Sequence, residues 1–486
     1  MNVPIPGLLA LVFSCSLCLA APAGKPNIVF LFTDDQAPDT IAAAKVWGVD
    51  HSQIETPNMD RLFNGGTSFT HAYNMGAWHA AVCVASRSML NSGRFLWHAR
   101  RAEKDGFRGM IRNQRLWSQR MKAAGYETYM SGKWHVTAPP EQIFDHVLRI
   151  RPGMPGTVKA AYQRPTEGRP DKWLPWDASN GGYWEGGKHW SEVLADDAES
   201  LIQRAASLGK PFFMYLAFNA PHDPRQSPQS FLEMYPLERI RVPRNMLPVN
   251  PHHAAMGLGP TDGTGMRDEA LAPFPRTEFA VRTHRREYHA LVSHLDAQIG
   301  RILVALEREG LAGNTCIILT SDHGLALGRH GLLGKQNLHE HSLRVPFIIS
   351  GPGIPGGKSI DTRIYLQDAM ATALELAGAD RDGIDFKSVM PLIKGGGDVH
   401  HAGIYSAFGR RDQRAVIDGS HKMILYPADQ TVLLFDLAKD PLEMDDLANQ
   451  PESIATKKQL FRRLLRLQKE TGDPLNLAAV FPDLAG

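Results

Sequence analysis

The chain has 486 residues, of which 43% are hydrophobic and 21% are charged, so it is long enough to bury a sizeable core. Its 53 Lys and Arg residues nearly balance its 51 Asp and Glu residues, and the net charge of +2 gives no bulk electrostatic attraction for nucleic acid or an anionic membrane. The composition therefore indicates a large globular protein in which any preference for anions is local.

The N-terminal segment predicts an export signal. Residues 7–20 form an apolar run that is too short to span a bilayer, and the small residues after it permit cleavage behind Ala20 or Ala23. We therefore expect residues 1–23 to be a signal peptide, the mature protein to be periplasmic or secreted, and no stable membrane insertion after the leader is removed. Because the start of the segment lacks Lys and Arg, a short N-terminal membrane anchor remains the alternative.

Cysteine usage gives no disulfide framework despite this exported context. Cleavage removes Cys15 and Cys18 and leaves Cys83 and Cys316 in the mature chain. Cys316 lies in an apolar run and is expected to be an inert core residue. An unpaired Cys83 is compatible with a chemical role.

Short apolar runs alternate with helical patterns along the mature chain. This alternation predicts an α/β fold with a mostly parallel central sheet and helices on both faces. The predicted strands are residues 27–32, 127–130, 211–218 and 316–320, and the clearest predicted helices are 194–208 and 285–308. The Pro-, Gly- and Arg-rich stretch 236–282 is expected to be a long surface excursion.

Three consecutive glycines, Gly395 to Gly397, predict a domain boundary. We expect a catalytic domain over residues 24–394 and a smaller C-terminal α+β subdomain over residues 395–486. Apolar runs at 423–426 and 432–435 predict a small antiparallel sheet in this subdomain, and residues 454–470 predict a terminal helix that packs on it.

The run Cys83-Val84-Ala85-Ser86-Arg87 lies at the start of a predicted helix, residues 84–92, which ends at Gly93. Cys83 is then at the helix N-terminus, where unpaired backbone N–H groups and the helix dipole stabilise a developing anion. Arg87 returns to the same face one turn later. On its own, such a pattern is more often a small buried cysteine, so other motifs must decide.

Polar residues follow each of the four predicted strands. They are Asp34-Asp35, Lys133-Trp134-His135, Pro221-His222 and Asp322-His323-Gly324. Because ligands of an open parallel sheet bind beyond the carboxyl ends of its strands, these segments are expected to converge on one cleft.

Together these segments resemble the type I sulfatases of the alkaline phosphatase superfamily over nearly the whole mature chain. Cys83 to Arg87 with Gly93-Arg94 is similar to the signature in which that family converts a cysteine to formylglycine, although Ala85 stands where the commonest pattern has Pro. Further matches in the expected order are Gly334-Lys335, Arg344-Val345-Pro346, Phe435-Asp436-Leu437, Asp440-Pro441 and Glu443.

The resemblance implies an enzyme that a formylglycine-generating maturation enzyme activates. The hydrated aldehyde made from Cys83 would be the nucleophile, because one of its oxygens attacks sulfur and the second expels the sulfate. The implied roles are stabilisation of the hydrated form by Arg87, binding of sulfate oxygens by Lys133 and Lys335, protonation of the leaving oxygen by His222 with Lys335, and removal of the diol proton by His135.

The resemblance also implies a calcium ion held by Asp34, Asp35, Asp322 and His323, with an oxygen of modified Cys83 close to it. Carboxylate oxygens suit a hard divalent cation that offsets charge on the sulfate. Because imidazole is an unusual calcium ligand, Mg²⁺ or Mn²⁺ stays open, as does a role for His323 as a hydrogen-bonding residue outside the ligand set.

The sequence therefore predicts an exported sulfatase that hydrolyses a sulfate ester of a carbohydrate. One alternative is a phosphate or phosphonate monoester hydrolase that uses the same aldehyde nucleophile. Another is an inactive protein that binds sulfated glycans, because the cationic cleft would survive loss of the nucleophile.

Overall fold

The computed structural model describes residues 24–44, 53–80, 82–259, 265–397 and 399–486. The predicted signal peptide, residues 1–23, lies outside the described residues. Within these ranges, none of the helices has both the length and the apolar character that a bilayer crossing requires.

The strands are numbered in chain order. They are β1 (Asn27–Thr33), β2 (Gly66–Phe69), β3 (Ala72–Tyr73), β4 (Gly76–Ala77), β5 (Glu127–Lys133), β6 (His146–Arg151), β7 (Trp184–Glu185), β8 (Lys188–His189), β9 (Phe212–Ala217), β10 (Thr315–Ser321), β11 (Arg344–Val345), β12 (Phe347–Ser350), β13 (Lys358–Ile360), β14 (Ile364–Tyr365), β15 (Ile404–Phe408), β16 (Gln413–Asp418), β17 (His421–Tyr426) and β18 (Thr431–Asp436).

The helices follow the same convention. They are α1 (Pro57–Gly65), α2 (Val82–Ser92), α3 (Leu96–Lys104), α4 (Arg108–Arg112), α5 (Trp117–Ala123), α6 (Trp190–Leu208), α7 (Gln229–Glu233), α8 (Glu278–Arg308), α9 (Glu340–Leu343), α10 (Asp368–Ala377), α11 (Met390–Ile393), α12 (Ile454–Thr471), α13 (Leu477–Val480) and α14 (Pro482–Ala485).

Eight strands of the described chain form the central sheet, in the order β13-β2-β12-β10-β1-β9-β5-β6. Strand β1 lies at its centre and pairs in parallel with β10 and β9. Strands β5, β6 and β9 continue the parallel part, whereas β12 runs antiparallel to both β10 and β2. The carboxyl ends of β1, β5, β9 and β10 therefore meet at one edge, as the sequence predicted.

Helices cover both faces of this sheet, which confirms the predicted α/β architecture. Alternate residues of β1 point to opposite sides, so that Val29 and Leu31 pack in the core beneath α6 and α8. Phe30 and Phe32 pack in the core on the other face, which includes Trp117 of α5. Every residue of β1 is buried, as expected for a central strand between two helical layers.

A second sheet has the order β18-β17-β16-β15-β4 and packs against helix α12. Strands β15 to β18 are antiparallel and include the two predicted apolar runs. The additional edge strand β4 comes from the N-terminal half of the chain and pairs in parallel with β15. The small sheet is thus not formed by residues after Gly397 alone, and the boundary at Gly395 to Gly397 stays a prediction.

The ends of some elements differ from their predicted positions. Helix α8 begins at Glu278, so the last residues of the predicted excursion 236–282 are helical; the Thr277 side chain accepts a hydrogen bond from the Ala280 backbone N–H and caps the helix. Strand β5 extends beyond residue 130 to Lys133. It passes so close to β9 that a Cβ on Gly132 would lie 2.0 Å from the backbone oxygen of Ala217.

Candidate active site

The polar residues that follow the parallel strands lie together at the carboxyl edge of the central sheet. Asp34 and Asp35 follow β1, Lys133 ends β5, and Asp322 follows β10. The backbone N–H of Asp35 donates to Asp322 Oδ1 at 3.1 Å, which joins the ends of β1 and β10 directly. The convergence predicted from the sequence is therefore present among these side chains.

Cys83 lies in the first turn of α2, one residue after its start at Val82. Its buried thiol donates to Asp34 Oδ1 at 3.4 Å, and Lys335 Nζ lies 3.5 Å from Sγ. The helix ends at Gly93, whose φ of +67° and hydrogen bond to the Met89 carbonyl give the cap that the sequence predicted.

Arg87 lies one turn after Cys83 and connects α2 to the carboxyl ends of β10 and β5. Its Nε donates to Asp322 Oδ2 at 3.0 Å, its Nη1 donates to the backbone oxygen of Lys133 at 2.8 Å, and the guanidinium lies 4.6 Å from the centre of the Phe32 ring. Burial opposes the charge, but Asp322 and Asp34 hold the pKa of Arg87 above its ordinary value. Arg87 therefore remains a cation although it is fully buried.

Asp34, Asp35, Cys83 and Asp322 form a cluster in which one ligand atom of each lies within 4.8 Å of all the others. All four side chains are buried, and Asp35 Oδ1 has no hydrogen-bond partner among the described residues. A buried, unpartnered carboxylate oxygen in an oxygen-rich cluster fits a divalent cation of the calcium or magnesium type. The residues present are thus chemically suited to the predicted metal site.

Two lysines pair with two of the three carboxylates of this cluster. Lys133 forms an ion pair with Asp34, and Lys335 forms one with Asp35. Burial raises the pKa of Asp35 to about 7, and Lys335 and His222 only partly offset this effect. Burial and the charges of Asp322 and Asp34 raise the pKa of the Cys83 thiol well above its usual range, so the unmodified thiol is not a thiolate here.

His222 follows β9 and faces Asp35 of the cluster. Its Nε2 lies 3.6 Å from Asp35 Oδ2, and its Nδ1–H donates to the backbone oxygen of Asp223 at 2.7 Å. Burial and Lys335 oppose a charge on the ring, but Asp223, Asp35 and Asp34 together raise the pKa of His222 above its usual value.

Asp223 and Arg267 are site residues that sequence reasoning missed. Asp223 Oδ1 lies 3.1 Å from His222 Nδ1, and Arg267 Nη2 lies 3.0 Å from Asp223 Oδ1 and 3.3 Å from His222 Nε2. The adjacency of Asp223 to His222 was a usable signal, whereas Arg267 lies in the long excursion and had no distinguishing motif.

His135 and His323 lie at the margin of the cluster. His135 Nδ1 is buried without a partner among the described residues, and burial with the nearby Lys133 lowers the pKa of His135 to about 3. His323 Nε2 lies 3.3 Å from the amide nitrogen of Asn74, and His323 does not belong to the four-residue cluster. Asn74 also donates to the backbone oxygen of Asp322; no sequence motif had indicated it.

Comparisons with known proteins match most of the chain. A family model described as "Sulfatase" matches residues 26–379, and a second, described as "N-sulphoglucosamine sulphohydrolase, C-terminal", matches residues 328–470. A "Sulfatase" of Formosa agariphila is 28% identical over 459 residues, which cover 87% of this chain and 83% of the relative.

Solved structures agree on the fold. A structure of BT4656 in complex with its substrate D-glucosamine-2-N,6-O-disulfate has a TM-score of 0.73 at 22% identity and covers 93% of this chain and 99% of its own. A phosphonate monoester hydrolase from Silicibacter pomeroyi has a TM-score of 0.71 at 20% identity and covers 92% of this chain and 96% of its own.

Proposed function

The chain belongs to the sulfatase family and is a sulfate ester hydrolase, and on that basis we propose that it is an exported enzyme acting on a sulfated carbohydrate through a formylglycine made from Cys83. The observation that carries this proposal is the position of Cys83 in the first turn of α2, with three carboxylates and the Lys335 ammonium around its sulfur. A carbohydrate substrate is supported by the structural neighbour that binds a disulfated glucosamine.

The chemistry depends on two groups that the chain would have to acquire. Formylglycine at position 83 supplies, once hydrated, a hydroxyl nucleophile and a second hydroxyl that allows the sulfate to leave. Asp34, Asp35 and Asp322 would hold a calcium ion beside residue 83, with His323, which lies outside the four-residue cluster, as the proposed fourth ligand; the ion would offset the charge of the sulfate. Mg²⁺ and Mn²⁺ are the alternatives.

The two lysines would orient the sulfate. Lys133 and Lys335 already carry their ammonium groups into the cluster, where they pair with Asp34 and Asp35. The same ammonium groups would bind the sulfate oxygens when substrate enters the site. Arg87 binds Asp322 and the backbone oxygen of Lys133 at the end of β5, and thereby places a further positive charge beside the carboxylates.

Proton transfer would be divided between two histidines. His222 gives a proton from Nε2 to the leaving oxygen, while its Nδ1 stays fixed on Asp223. His135 would accept the diol proton at Nδ1, which has no hydrogen-bond partner among the described residues. A sugar alkoxide is a poor leaving group, so the His222 step matters most for carbohydrate substrates.

The test is mass spectrometry of the tryptic peptide from Leu62 to Arg87 of protein made in its native source, combined with product analysis. We expect an aldehyde or its hydrate at position 83 and release of sulfate from sulfated mono- and disaccharides. Intact cysteine in a protein that binds but does not cleave sulfated glycans would favour the glycan-binding alternative. Faster release of phosphate or phosphonate than of sulfate would favour the monoester hydrolase.

A further inference from the structure

The positive charge of this chain is concentrated in one segment. Residues 94–122 contain nine Lys and Arg residues against two Asp and Glu residues, a net charge of +7. Because the whole chain carries +2, the remaining residues together carry −5. A charge asymmetry of this size indicates a local anion-binding surface on a protein that is otherwise acidic.

The segment folds as α3, α4 and α5 and exposes most of its cations. We define the basic surface as Arg101, Lys104, Arg108, Arg112 and Arg115, all of which are exposed. Arg115 pairs with Asp380, and Arg108 lies 3.9 Å from Asp105. Among the described residues, no carboxylate forms an ion pair with Arg101, Lys104 or Arg112, so these three charges are available to a ligand.

A cavity of about 500 Å³ opens beside the basic surface. Its walls include Arg94, His98, Arg101, Arg115 and Arg120, with Asp382 as the one acidic side chain. Asp385 binds Arg94 at 3.1 Å and Asp380 binds Arg120 at 2.9 Å, which holds these two guanidinium groups in position. The volume is that of a pocket for a small-molecule-sized group such as one sulfated sugar residue.

The cavity is separate from the catalytic cluster. It lies beyond the carboxyl end of α2, whereas Cys83 lies in the first turn, and the eleven residues of this helix span roughly 16 Å. None of the cavity walls belongs to the set of Asp34, Asp35, Cys83 and Asp322. A ligand bound there would therefore not occupy the reaction centre.

We propose that the basic surface and its cavity bind a sulfated polysaccharide, so that the enzyme holds the polymer at a second point while the cleft acts on another sulfate. This inference rests on the proposed function. Guanidinium groups match the geometry of sulfate oxygens and can bind them through two parallel hydrogen bonds. The segment exposes no large hydrophobic side chain, which disfavours a lipid membrane, and the acidic remainder of the protein disfavours a long nucleic acid.

The test compares heparin binding by three versions of the full mature protein. One is the wild type, one carries Arg101→Gln and Arg112→Gln, and the control carries Arg462→Gln and Arg466→Gln, two exposed arginines of α12 that form no ion pair among the described residues. We expect the first double variant to bind heparin about tenfold more weakly at moderate salt, with a shallower salt dependence, and the control to change less than twofold. Turnover of a small aryl sulfate should be the same in all three proteins.

Equal heparin affinity in the wild type and the Arg101 and Arg112 variant would overturn the proposal, as would an equal loss in the control. Hyaluronan, which carries carboxylates but no sulfate, and duplex DNA serve as competing polyanions. If either binds as tightly as heparin and loses affinity in the same variant, the surface is a general polyanion site and the assignment to sulfated polysaccharide is wrong. Turnover of the aryl sulfate, measured separately, shows whether the proposed activity itself has failed.

Discussion

The ammonium of Lys335 lies 3.5 Å from the sulfur of Cys83 and also pairs with the buried carboxylate of Asp35. One side chain thus contacts both the residue proposed to become the nucleophile and a proposed metal ligand. This arrangement makes the stability of the site and its activity depend on the same charge.

We expect Lys335→Met to lower the free energy of unfolding by about 3 kcal/mol in the presence of a chelator, because Asp35 would lose its buried partner. Added Ca²⁺ should recover part of the lost free energy of unfolding. The kcat should stay about 100-fold lower, because the Lys335 ammonium group that is proposed to bind sulfate is missing. Chemical denaturation and steady-state kinetics measure the two effects. Lys439→Met, at a highly exposed lysine, is the control and should change neither quantity.

Cys83→Ala should reduce turnover about 1,000-fold or more while substrate affinity stays close to that of the wild type. The alanine keeps α2 and its packing but lacks the thiol through which Cβ would be converted to an aldehyde. Kinetics and equilibrium binding of a sulfated disaccharide test this prediction. Substantial residual turnover would show that another residue is the nucleophile.

Calcium should raise the melting temperature of the wild type and have little effect on Asp35→Asn. At a concentration 100 times the Kd, binding adds about 2.7 kcal/mol to the free energy of unfolding. Differential scanning fluorimetry with Ca²⁺, Mg²⁺ and Mn²⁺ identifies the preferred ion. Asp196→Asn, at a partly exposed carboxylate outside the site, should respond as the wild type does, and a full response of Asp35→Asn would exclude Asp35 as a ligand.

His222→Ala should lower kcat by about 100-fold to 10,000-fold on a sugar sulfate but far less on 4-nitrophenyl sulfate, whose leaving group needs no proton. Asp223→Asn should show the same dependence on the leaving group with a smaller amplitude, since it removes the carboxylate charge beside Nδ1 and Arg267 but leaves the imidazole in place. Equal losses on both substrates would indicate a structural role instead. The measurement is the ratio of kcat values for the two substrates in each variant.

Gly132→Ala should destabilise the protein by about 2 kcal/mol and displace Lys133. Gly132 has a φ of +99°, and a Cβ there would lie 2.0 Å from the Ala217 oxygen. Gly156→Ala, where a Cβ would have no other atom within 4 Å, should leave stability unchanged within about 0.5 kcal/mol. Unfolding curves and kcat of both variants test the prediction.

The sequence was sufficient to predict the parallel sheet and the convergence of Asp34, Lys133, His222 and Asp322, because these features follow from local apolar runs and the rule that parallel strands end at one edge. It was also sufficient to predict the helix that begins near Cys83 and ends at Gly93. All of these predictions depend on patterns that are local in the sequence.

The missed features depend on contacts between distant parts of the chain. Strand β4 has only two residues, and its pairing with β15 joins positions more than 300 residues apart. Arg267 contacts His222 from the long excursion, and Asn74 contacts the backbone oxygen of Asp322 from the segment between β3 and β4. Neither residue belongs to a periodic pattern, so only the assembled fold brings them to the site.

The pairing of β4 with β15 also bears on the order of events during biosynthesis. Cys83 is only 4% exposed, so in the finished protein its side chain cannot enter the active site of a modifying enzyme. Strand β15 pairs with β4, which packs beside α2, and it begins at Ile404, 321 positions after Cys83, so it is made much later. If Cys83 is converted to formylglycine as proposed, the conversion would have to precede assembly of the C-terminal sheet, while the side chain is still accessible.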